Sequence, residues 1–259
     1  MRTWIRWTSL ILLLFSVAGF ALPGWCGERT VILTSLEWPP YTDEALPQGG
    51  ACAGIVRAAF ANVGYDVEIR YFPWKRAMHL AEHDPEVDGV FPMYFSLERE
   101  GQFLFSDAVG ESPMGFAESV QQPVEWNRLE DLTSFKIGTV KGFVNTAKFD
   151  RMEAVGSLKT DASLNDLFNL RKVLARRVDL AVIDLNVFRY LRQVDPHLLA
   201  NRHLIQINKR MLGVNSIYVC FRKGRRGQEL LRALNEGLDK ISLKESQDRY
   251  MEMIFSGKQ

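Results

Sequence analysis

The chain has 259 residues, 47% of them hydrophobic and 24% charged, with 32 Lys and Arg against 31 Asp and Glu. That composition excludes a disordered chain, and a net charge of +1 gives no general attraction to nucleic acid. Three cysteines are too few for a disulfide-stapled scaffold, and a single stretch able to compete for a bilayer excludes a polytopic membrane protein.

That stretch comes first. Residues 1–27 set Arg2 and Arg6 before the apolar run from Leu10 to Leu22 and then small and turn-forming residues, the pattern of a cleavable secretory signal. The run is shorter than the roughly 20 residues a spanning helix needs. Cleavage is expected within residues 21–27, and Trp25 before Cys26 argues against lipidation. Without 1–27 about 232 residues remain, with 30 basic and 31 acidic side chains and a net charge of −1. The expected location is the periplasm, where Cys52 and Cys220 either pair or stay as separate buried thiols.

Val31 to Thr34 reads as a buried first strand. Trp38-Pro-Pro-Tyr41 is expected to follow an extended, polyproline-like path that presents Tyr41 outward. Gly49-Gly50 opens a helix with Ile55, Val56, Ala59, Phe60 and Val63 on its apolar side, and Gly64 stops it. Val67 to Tyr71 alternates like a strand with one wet face, a helix runs from about Lys75 to Glu82, and Val87 to Phe91 is a buried strand. The second half repeats this order. Gln121 to Pro123 is the expected first crossing between lobes, and Lys136 to Val140 a strand. Ser163 and Asp166 read as a capping pair for a helix carrying Leu167, Leu170 and Leu174, followed by the strand Val178 to Ile183. Ser216 to Phe221 carries the chain back, and one long amphipathic helix from Gly227 through Ile241 packs on the first lobe. Strands alternating with helices at this spacing predict parallel α/β sheets, here in two modules.

Convergent catalytic groups are absent from the pattern. His79 and His83 stand at i and i+4 but have no evident third ligand, so no metal is expected. Gly49 to Gly54 lacks the order of a dinucleotide loop, no serine occupies a nucleophile elbow, and Arg222 to Arg226 reads as a solvated turn. No enzyme, catalytic residue or cofactor is expected.

Seven short motifs follow one another between residues 30 and 255. They are Trp38-Pro-Pro-Tyr41, Val87-Asp88-Gly89, Ser96-Leu-Glu-Arg99, Phe105-Ser-Asp107, Leu129-Glu-Asp-Leu132, Ile137-Gly-Thr-Val-Lys-Gly142 and Arg177-Val-Asp-Leu-Ala-Val-Ile-Asp184. In this order they resemble the family 3 extracellular solute-binding proteins, the periplasmic receptors of polar amino-acid ABC importers. The resemblance implies a two-lobed α/β periplasmic-binding-protein fold of type II, with a hinge of two crossing strands and a ligand cleft between the lobes. Lobe 1 is expected to comprise 28–118 with 222–259, and lobe 2 to comprise 119–221. The implied partners are a small polar, carboxylate-bearing ligand and an ABC permease, and the chain is expected to be a monomer.

In the implied site Arg99 offers a planar fork to the ligand carboxylate, and Asp184 accepts its ammonium group from the other lobe. Tyr41 and Trp74 supply aromatic faces, and Tyr94, Ser96, Gly142 and Phe143 complete the ligand-binding set. Four of these positions have a second reading: Arg99 as a surface arginine in a first helical turn, Asp184 and Ser96 as helix caps, and Trp74 as core or an interlobe contact. Two departures weaken the amino-acid inference. Phe143-Val144 stands where the family has Ser or Thr, and Arg57-Ala58 occupies the region of an aspartate in the first helix. Alternatives are a dehydratase-like enzyme using Glu98, Glu111 or Asp184 as its acid, and an orphan or sensory binding protein.

Overall fold

The computed structural model describes residues 29–256; the expected secretory signal lies outside them. The first lobe opens with β1 (Thr30–Ser35), α1 (Ala51–Ala61), β2 (Asp66–Tyr71), α2 (Trp74–His83), β3 (Gly89–Met93) and α3 (Leu97–Gln102). β1 lies between β2 and β3 and is parallel to both, the arrangement that strand–helix–strand units produce. The burial of every residue in β3 matches its unbroken apolar run.

The chain then enters β4 (Phe103–Ser119), followed by β5 (Lys136–Val140), α4 (Ala147–Ala154), β6 (Lys159–Ser163) and α5 (Asp166–Leu174). Next come β7 (Leu180–Asp184), α6 (Leu185–Val194), α7 (Pro196–Ala200) and β8 (Ile205–Ile207). β9 (Gly213–Arg222), α8 (Arg225–Leu238) and α9 (Leu243–Ser256) complete it. The strand order is β2-β1-β3-β9-β4-β7-β5-β6, with β8 paired to β4. This is the mixed α/β, two-lobed architecture expected.

β4 explains how one sheet path serves two lobes. Its 17 residues span about 55 Å, long enough to run through both. It pairs with β9 from Phe103 to Met114 and with β7 from Met114 to Glu118. The two antiparallel strands β4 and β9 therefore connect the halves. Gln121 to Pro123, expected to make the first crossing, forms a turn beyond β4 instead, with the Gln122 N–H on the Ser119 carbonyl.

Three local expectations change, and one open alternative is decided. Trp38 to Tyr41 is not extended: Trp38 and Thr42 exchange backbone hydrogen bonds across a tight turn, and Tyr41 points inward with no exposed surface. The cap of α5 is Asn165, whose side chain accepts the Phe168 N–H, while Ser163 ends β6. The long C-terminal helix is two helices, because residues 239–242 turn between α8 and α9. Cys52 and Cys220 are separate buried thiols, and burial pushes both well above the ordinary thiol range.

α8 packs closely on α1, and Gly237 permits this. A Cβ there would lie 2.0 Å from the Ala59 carbonyl oxygen. Gly237→Ala is expected to destabilise by about 1–3 kcal/mol, because the obstructing atom belongs to helix backbone and cannot rotate away. Calorimetry should show Tm lower by roughly 2–10 °C. An unchanged midpoint would mean that the two helices are less closely seated. Among the described residues no helix is long and apolar enough to cross a membrane.

Candidate functional site

The loop after β1, the end of β3 and the start of α3 meet the loop after β5 and the start of α5 from the opposite lobe. Between them Leu36, Trp38, Trp74, Tyr94, Arg99 and Phe143 enclose a hollow of about 310 Å³. This hollow is the slot between the lobes. A second, smaller hollow adjoins it, ending on Asn145, Asp166 and Asp184.

Arg99 is the cation of the slot. Ser96 caps α3 by accepting the Arg99 N–H, which fixes the arginine in the helix's first turn. The guanidinium is buried and donates to the Tyr94 carbonyl at 3.2 Å and, across the lobes, to the Gly142 carbonyl at 3.1 Å. It also lies 5.6 Å from the centre of the Trp74 ring. Among the described residues no carboxylate lies within ion-pair distance of it, and burial lowers its pKa from the ordinary value. Two of its five N–H donors are used, which leaves three for a ligand. Gly142 presents its carbonyl at φ +84°, a conformation that favours glycine.

The carboxylates lie deeper. Asp184 caps α6, accepting the Asn186 N–H at 2.7 Å and the Val187 N–H at 2.8 Å on Oδ1. Its Oδ2 accepts the Tyr41 hydroxyl at 2.8 Å and the Ser112 hydroxyl. Its reading as a cap holds, and its partner from the other lobe is Tyr41. Burial raises it to about 6, although the Ser112, Val187, Tyr41 and Asn186 hydrogen bonds pull the other way. Asp166, the first residue of α5, lies near the Trp38 indole N–H of lobe 1, and burial, then the charge of Asp184, raises it to about 7.

Both carboxylates titrate above their ordinary range, so the folded protein holds these protons to higher pH than the unfolded chain does. Their contribution to stability is present below the unfolded pKa and is lost as pH rises through about 6 to 7. Tm is expected to fall between pH 5 and pH 8, with a shallower slope in Asp166→Asn. A Tm that climbs across this window in wild type would contradict the buried pair.

The predicted set is thus divided. Trp74, Tyr94, Arg99 and Phe143 line the slot, Gly142 joins through its carbonyl, and Asp184 ends the deeper hollow. Tyr41 and Ser96 do not line the slot. Tyr41 is stacked beneath Trp38, with ring centres 4.5 Å apart, and Ser96 serves as a cap. The sequence reading missed Trp38 and Asp166. Trp38 belonged to a quoted motif, but the tight turn exchanges the roles of its two aromatic residues. Asp166 carried only a capping signal. Glu98 and Glu111, considered as acids, are exposed outside both hollows, and Arg57 donates to the Val67 carbonyl from α1. Among the described residues no cluster is suited to a metal ion; His79 and His83 stack on each other on α2.

No family model matches the chain, and no curated protein matches it. Solved structures do. An ancestral arginine-binding protein bound to arginine superposes with a TM-score of 0.69 at 21% identity, covering 88% of this chain and 99% of its own. An amino acid ABC transporter substrate-binding protein from Streptococcus pneumoniae, bound to L-arginine, gives 0.67 at 17% identity, covering 88% and 94%. An ancestral amino acid-binding protein described as a precursor of cyclohexadienyl dehydratase gives 0.65 at 19%, covering 88% and 95%. The chain shares with them the two-lobed periplasmic-binding-protein fold.

Proposed function

We propose that this protein is a periplasmic solute-binding protein that closes two lobes around a small polar carboxylate, an amino acid or a related acid, and delivers it to an ABC importer. The observation that carries the reading is Arg99: a buried guanidinium in an interlobe slot, with donors to spare and no acidic partner among the described residues. A bidentate carboxylate fits that fork, and aromatic walls cover the body of the ligand. Similarity to amino-acid-binding structures supports the ligand class, and similarity to ABC transporter substrate-binding proteins supports the importer. Export through a signal in residues 1–27 is part of this proposal.

Closure would couple binding to shape, since a ligand touching both lobes stabilises the closed state by those contacts. Titration calorimetry of the intact protein against amino acids and organic acids is the test. A dissociation constant near 1 μM corresponds to about −8 kcal/mol, within reach of one charge-assisted pair plus burial. Absence of binding by every carboxylate in such a panel would refute the reading.

One observation favours a second reading. Asp166, held near 7 in the cleft, is matched to general-acid chemistry, and one similar structure is a dehydratase precursor. Turnover of a cyclohexadienyl acid, lost in Asp166→Asn, would establish that reading; binding without turnover would exclude it for that substrate.

A further inference from the structure

The Arg99 slot and the deeper hollow share Trp38, Tyr94 and Phe143 as walls, so they adjoin across three side chains. One end holds a guanidinium without an acid. The other ends on Asp166 and Asp184, and among the described residues neither has a base within ion-pair distance. A buried charge is costly until it is paired, and this arrangement leaves one sign open in each of two neighbouring hollows that share three walls.

The two carboxylates differ in what they have left to give. A carboxylate offers about four acceptor directions. Asp184 receives four donors: the Asn186 and Val187 amides, the Tyr41 hydroxyl and the Ser112 hydroxyl. Near Asp166 the donors are the Trp38 indole and its own backbone amide. Asp166 also borders a wider hollow between the lobes, beside Trp74, Phe143 and Lys75.

We propose that Asp166, rather than Asp184, receives the cationic nitrogen of a zwitterionic ligand whose carboxylate rests on Arg99. This builds on the carboxylate-receptor reading above and adds the second charge. A ligand cation at Asp166 offsets the burial of that carboxylate and relieves its repulsion by Asp184. An acid without a cationic nitrogen answers Arg99 and leaves the deeper pair unbalanced. Trp38 is a positioning residue: its indole stands beside Asp166 from the opposite lobe, and its ring forms a wall of both hollows. Asp184 instead organises the site by capping α6 and fixing Tyr41 and Ser112.

The test is calorimetry on the intact protein with L-glutamine, L-phenylalanine and 5-aminopentanoate, each beside the same skeleton without its cationic nitrogen: glutaramate, 3-phenylpropanoate and pentanoate. A zwitterion that binds should exceed its nitrogen-free counterpart by about 10- to 100-fold, the range of a charge-assisted hydrogen bond. Asp166→Asn should erase most of that difference while the counterpart's affinity stays within about 3-fold, and Asp184→Asn should preserve the difference. A nitrogen-free acid that binds wild type as tightly as its zwitterion overturns the assignment without any variant, and leaves the carboxylate-receptor reading standing. A preference that survives in Asp166→Asn also overturns it. If no panel member binds, the receptor reading fails and this assignment fails with it.

Discussion

Replacing Arg99 with Met is expected to weaken binding of a carboxylate ligand by about 100-fold or more, the effect of losing a desolvated bidentate pair. The same change should leave Tm close to wild type or raise it. The guanidinium is buried against two carbonyls and a tryptophan face, with no carboxylate to offset its desolvation, so a side chain of similar volume without the charge removes a cost. The carbonyls of Tyr94 and Gly142 each lose a donor, which limits the gain. Affinity and stability moving apart is the signature of a residue kept for a ligand. A structural arginine would lose both together. Calorimetric titration beside differential scanning of the same preparations separates the cases, and a Tm drop with unchanged affinity would place Arg99 in the scaffold.

Asp184→Ala has the opposite profile: a loss of about 3–5 kcal/mol of stability, comparable to breaking a buried charged network. It removes the α6 cap, itself worth about 1 kcal/mol, and takes the charged acceptor from the Tyr41 and Ser112 hydroxyls, leaving Tyr41 the Glu111 carbonyl at 3.2 Å and Ser112 the Tyr94 hydroxyl. Asp184→Asn should lose less, since one amide oxygen still accepts from the backbone while its NH2 faces hydroxyls that can turn to accept. Denaturant unfolding of the two variants gives the comparison. Equal, small losses in both would show that the lobes do not depend on this contact.

Much of the architecture was legible along the chain because it is written in local terms. Apolar runs at Val31, Val87, Lys136 and Val178 mark strands whose faces are covered on both sides, and the helix between Ala51 and Ala61 shows its period and its closing glycine. β4 was not legible as one element, because Phe103 to Ser119 changes partner midway and its burial pattern changes with it. Arg99 and Asp184 were legible because each ends a recognisable motif. Asp166 was not: a carboxylate at the start of a helix is ordinary, and nothing within α5 shows that the indole of Trp38, 128 positions earlier, comes to lie beside it.

The sequence by itself determined the alternation of strands and helices and the doubled module, because periodicity and turn chemistry act over a few residues. Which aromatic residue of Trp38-Pro-Pro-Tyr41 faces the slot, which aspartate has acceptor capacity left and where the chain crosses between lobes were decided only by tertiary structure. Those outcomes depend on burial and on hydrogen bonds between lobes, and both arise only when distant segments pack together.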